Sequence, residues 1–88
     1  MKPEKIFYNV TNATNWLFEN DYDKDLSFSD ENYELSLWID RATCETVLLT
    51  VFRNTKDFDN SAMQYCDSVP KGQKMFRMAV ENELLRLY

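Results

Sequence analysis

Residues 19–34, ENDYDKDLSFSDENYE, concentrate the side chains of this chain whose type and spacing could do chemistry. Asp21, Asp23 and Asp25 alternate along the run, as the first ligands of an EF-hand calcium loop do. Phe28 and Ser29 would suit the eighth and ninth positions of such a loop. The loop then fails where it must close. Leu26 stands at the sharp turn that requires Gly, and Asn32 at the position that requires a bidentate Glu. Tight calcium binding is therefore not expected.

Other chemistries lack their residues. The chain has no histidine, hence no imidazole base or imidazole metal ligand. A phosphate-cradling loop needs several glycines, and Gly72 is the single one present. Two separated cysteines, Cys44 and Cys66, cannot build a cysteine-rich zinc site, and no Glu-x-Lys triplet of a metal-dependent nuclease occurs. The expectation is a protein that is not an enzyme and carries no cofactor.

Charge is distributed unevenly. The acidic run holds seven acids, Glu19, Asp21, Asp23, Asp25, Asp30, Glu31 and Glu34, against Lys24 alone, for a net of −6, while the chain as a whole is −5. The remainder is therefore close to neutral. Two readings of the run stand side by side: a solvated acidic loop, or a surface that meets a cationic partner and repels nucleic-acid phosphates. In the second reading the seven acids form the contact surface, with Tyr22 and Phe28 as apolar anchors. Carboxylates at every second residue of an extended strand lie about 6.5 Å apart, similar to phosphate spacing along one DNA strand.

In size, poverty in Gly and His, and acidity, the chain resembles the small DNA-mimic anti-restriction and inhibitor proteins encoded by phages. The resemblance is one of composition and covers no motif. It implies a non-enzymatic inhibitor or regulator that occupies a partner's basic, nucleic-acid-binding surface without binding nucleic acid itself. The alternative is a structural or adaptor module that works through a homodimer or hetero-oligomer surface. A homodimer is expected in either case.

The elements that must position these residues follow from periodicity. Eighty-eight residues with 44% apolar content suit one compact domain. No apolar stretch is long enough to span a membrane and the start, Met1-Lys2-Pro3-Glu4, lacks an apolar leader, so a cytoplasmic protein with reduced thiols is expected. Asn9 and Asn12 match the glycosylation pattern but are expected to be plain polar positions. Residues 3–20 read as a helix, with Ile6, Phe7, Val10, Ala13, Thr14, Leu17 and Phe18 at helical spacing; Ile6-Phe7-Tyr8 alone would also start a strand. Residues 33–40 and 46–53 alternate with strand period, and the link from Arg41 to Cys44 joins them as an antiparallel hairpin through a four- or five-residue loop. Leu26-Ser27-Phe28 would add a third, short edge strand. Residues 57–67 read as a short helix. A longer helix follows from Ser68-Val69-Pro70, with Phe76, Val80, Leu84 and Leu87 as its stripe and Ala79 beside them. The expected fold is α+β: an N-terminal helix, a hairpin and two C-terminal helices packed on one face of the sheet. Trp38, Leu48, Thr50 and Phe52 are expected to share the hairpin's other face and to form the dimer surface.

Overall fold

The computed structural model describes residues 6–53 and 60–86. The fold is α+β, built on an antiparallel sheet of five strands in the order β1-β5-β4-β3-β2. The strands are β1 (Ile6–Asn9), β2 (Tyr22–Ser29), β3 (Tyr33–Asp40), β4 (Glu45–Phe52) and β5 (Asn60–Cys66). Helix α1 (Val10–Glu19) joins β1 to β2, and helix α2 (Val69–Arg86) follows β5. No helix among the described residues is long and apolar enough to cross a membrane.

The hairpin of β3 and β4 is the centre of the sheet, and alternation explains why. Leu35 and Leu37 face one side together with Leu48, while Trp38 shares the other side with Val47, Leu49 and Val51. Both faces of these two strands are apolar, so each needs a cover. Phe76 of α2, with Met75, Ala79 and Val80 beside it, packs on the Leu35–Leu37–Leu48 side. Ala13 and Leu17 of α1, both fully buried, pack with Trp38, Val47, Leu49 and Met63 on the opposite side. The result is three layers, helix on sheet on helix.

Several expectations are corrected here. The N-terminal helix is shorter than 3–20, because the chain enters as strand β1 and turns into α1 at Asn9. The Asn9 side chain caps that helix, its Oδ1 accepting the backbone N–H of Asn12 at 2.8 Å. Residues 60–66 are a strand paired on both sides, with β1 and β4, and not part of a helix. The rest of that expected helix, up to residue 59, and Leu87 of the α2 stripe fall outside the described residues. The two helices therefore cover opposite faces of the sheet, and among the described residues α2 alone lies C-terminal. Trp38 does not share a face with Leu48, Thr50 and Phe52. It stands across from Val47, on the α1 side, and both Trp38 and Leu48 are buried, so the four do not form an open surface. The hairpin itself and the edge strand at Leu26–Phe28 are present, as β3, β4 and β2.

The hairpin link is a four-residue loop, and Cys44 closes it in the left-handed region at φ 63°, its N–H donating to the Asp40 carbonyl at 2.7 Å. At the other end of β4, α2 approaches the sheet closely. Gly72 is buried directly over Thr46, and a Cβ added there would collide with Thr46 Oγ1 and lie 2.7 Å from Thr46 Cβ. Thr46 Oγ1 donates in turn to the Ser68 carbonyl at 3.3 Å, tying the start of α2 to β4.

Gly72→Ala tests this contact. On a free helix the change would gain about 1 kcal/mol of propensity. Here the added methyl must push α2 off Thr46, and a net loss of about 1–3 kcal/mol is expected in urea denaturation.

Candidate functional site

The acidic run is not a loop. It begins at the end of α1, continues as strand β2 at one edge of the sheet, and ends in the turn to β3. Glu19 closes α1, whose last turn is followed by Asn20 and Asp21. Asn20 N–H donates to the Trp16 carbonyl and Asp21 N–H to the Phe18 carbonyl, and Asp21 adopts φ 62° to turn the chain into β2. Asp and Asn tolerate that conformation better than most residues, which explains an acid at this position.

Along β2 the acids do not form a single evenly spaced row. Asp23 stands opposite Ile39, and the register then shifts between Lys24 and Leu26, leaving Asp25 as the extra residue of a bulge. Asp21 lies before the strand altogether. The regular spacing of about 6.5 Å that alternation would give therefore does not apply to this triplet. Asp23 is paired with Arg41 at 3.2 Å, in an exposed contact of small energetic weight. Glu19, Asp21, Asp25 and Glu31 are exposed and have no cationic partner among the described residues.

Asp30 and Glu34 differ from these. Both are half-buried. Asp30 builds the turn: its Oδ1 accepts from the N–H groups of Asn32 at 2.8 Å and Tyr33 at 2.9 Å, while its own N–H donates to the Tyr33 carbonyl. Arg53, just past β4, donates its N–H to the Asn32 carbonyl at 2.8 Å and anchors the same turn to the neighbouring strand. Glu34 sits within β3, between Ser29 of β2 and Val51 of β4.

The two aromatics expected as anchors are turned inward. Tyr22 is buried in the α1 cluster, its ring 5.7 Å from that of Trp16, and has no surface to offer a partner. Phe28 is half-buried against the α2 cluster. The aromatic that does stand beside the acids is Phe18, which is 65% exposed. Its ring meets Trp38 edge to face at 5.5 Å, and Lys24 Nζ lies 5.6 Å from the centre of the same Trp38 ring. Helical spacing alone groups Phe18 with the apolar stripe of α1. The signal against that placement is its angle: with Ala13 and Leu17 buried, Phe18 is turned about 100° from Leu17 around the helix.

Among the described residues, no three or more acidic or cysteine side chains converge as a metal-ligand set. Both cysteines are free thiols; Cys44 is exposed in the hairpin loop, and burial together with Asp67 pushes the Cys66 thiol up from its ordinary value. The site is thus a surface: an edge strand and its two flanking turns, rimmed by free carboxylates, with one exposed aromatic at the α1 end.

The geometry separates acids that hold the fold from acids that do not. Asp30→Ala should cost about 1–2 kcal/mol in a denaturation experiment, because two backbone N–H groups lose their acceptor. Glu31→Gln, one residue along, should be within about 0.5 kcal/mol of the parent.

No protein-family model, curated protein or solved structure matches this chain.

Proposed function

We propose that this chain is a non-enzymatic binding protein that regulates a nucleic-acid-handling partner by covering its basic surface. The contact is the β2 edge. Glu19, Asp21, Asp25 and Glu31 supply charge, and Phe18 supplies the apolar anchor. The observation that carries this reading is the separation of roles within the run. Tyr22, Phe28 and Asp30 serve the fold, whereas four carboxylates remain exposed without cationic partners along one edge. An eight-residue strand spans roughly 26 Å, comparable to several phosphates of a duplex strand. Charge of this kind speeds association, and a desolvated ring slows dissociation.

A second reading has its own support. Charged side chains and a bulge on an edge strand also prevent that edge from pairing with other chains. Here the same carboxylates would serve solubility alone.

The two readings separate experimentally. The parent and a variant carrying Glu19→Gln, Asp21→Asn, Asp25→Asn and Glu31→Gln are immobilised and exposed to a protein fraction eluted by salt from a DNA column. The parent should retain a protein that duplex DNA displaces, and the variant should bind it with an association rate lower by about tenfold or more. Phe18→Ala should mainly raise the dissociation rate, by about tenfold. Equal retention by parent and variant, or retention that duplex DNA leaves unchanged, would overturn the proposal. Aggregation of the neutralised variant without a change in binding would favour edge protection.

A further inference from the structure

The outward face of α2 is used by neither the core nor the acidic edge. Gly72, Phe76 and Glu83 are buried on the sheet side of this helix, with Ala79 and Val80 half-buried beside them. On the far side, Lys71, Lys74, Met78, Glu81 and Leu85 are all exposed. Their spacing of three and four residues in alternation is that of a helix-packing seam. Met78 is 52% and Leu85 69% exposed, so the seam presents large apolar groups to water. Beside it runs a groove of about 350 Å³ between α2 and the sheet, whose lining includes Leu48, Met75, Met78, Lys71 and Lys74.

The order of residues in this seam is its own complement. Reversed, it reads Leu85, Glu81, Met78, Lys74, Lys71. Two such helices laid antiparallel about Met78 bring Met78 against its copy, Lys74 against the second copy's Glu81 at two symmetric places, and Leu85 against the second copy's Lys71. Lys71 is held at 3.1 Å by Asp67, which lies just before α2, and this leaves its aliphatic stem as the surface for that leucine. Lys74 and Glu81 have no charged partner among the described residues. Antiparallel packing also offsets the basic residues at the start of α2, where a single helix gains nothing from them.

We infer that a second copy of this chain docks on the outward face of α2, forming a two-fold dimer centred on Met78 and fixed by reciprocal Lys74–Glu81 pairs. The interface is isologous, so each pair forms twice or not at all. The second copy's Leu85 packs on the aliphatic stem of Lys71, which lines the groove. The carboxylates of both β2 edges stay outside this contact, and the assembly carries two of the acidic rims described above. The dimer does not depend on the function proposed for those rims.

A charge exchange tests the pairing. Sedimentation equilibrium should report a dimer of the parent at tens of micromolar. Lys74→Glu and Glu81→Lys should each weaken the dimer by about tenfold or more, through like charges facing across the two-fold axis. The chain carrying both changes restores opposite charges and should return to within about threefold of the parent. Met78→Asp should be monomeric. All three positions are exposed, so each variant should melt as a folded protein. In a background of Cys44→Ser and Cys66→Ser, Met78→Cys should form an intermolecular disulfide on mild oxidation. A parent that stays monomeric across this range overturns the inference. So does a double variant no tighter than the singles, or a Met78→Cys chain that oxidises no faster than one bearing its single cysteine at Glu31.

Discussion

The structure depends on one constraint: strands β3 and β4 are apolar on both faces. Leu35, Leu37 and Leu48 look one way, and Trp38, Val47, Leu49 and Val51 the other. A hairpin exposing either set would leave several large side chains in water, at about 1.5–3 kcal/mol for each one that burial would otherwise stabilise. Two covers are needed, and the described residues form two helices. Because β1 and β2 lie at opposite edges of the sheet, α1, which joins them, must cross one face to do so. That connection places Ala13 and Leu17 over Trp38 and Val47. The other face falls to α2, which can approach only because Gly72 has no side chain to strike Thr46.

Once the central strands take the apolar residues, the edge receives what remains. Strand β2 needs to bury only Tyr22, on one face, and to lean Leu26 and Phe28 on the α2 cluster. Its other positions are free to carry charge, and a bulge at Asp25 keeps them from acting as a flat template for another strand. The same division operates on α2. One side is committed to the sheet, and the opposite side is free to hold a sequence that complements its own reverse. Surface identity in this small protein thus lies on the elements that contribute least to the core.

Where one physical signal dominated, the sequence was legible. Alternation over residues 33–40 and 46–53 marked β3 and β4, and the stripe through Phe76, Ala79 and Val80 marked α2. Leu26 and Phe28 hinted at the edge strand. Strand β5 was missed because Ser61, Met63 and Tyr65 share one face and Ala62, Gln64 and Cys66 the other. Neither set is apolar enough to register against a helical reading. The start of α1 was misplaced because Ile6, Phe7 and Val10 satisfy both periods, and the side-chain cap by Asn9 decides between them only in three dimensions. For the candidate site, composition located the acids, and three-dimensional pairing was needed to sort them. Asp30 proved to be a turn-former and Asp23 a partner of Arg41. Aromatic anchors could not be chosen from neighbourhood in the chain, since Tyr22 and Phe28 pack inward and Phe18 outward.

The account stands on the claim that the rim carboxylates have no part in holding the fold. The most direct measurement is urea denaturation, at low ionic strength, of the chain with Glu19, Asp21, Asp25 and Glu31 all changed to their amides. Charge repulsion along the edge is relieved and no cap or core contact is lost, so the midpoint should equal or exceed that of the parent. A loss of more than about 2 kcal/mol, well beyond what ordinary surface changes produce, would contradict the account and return these four acids to the structure.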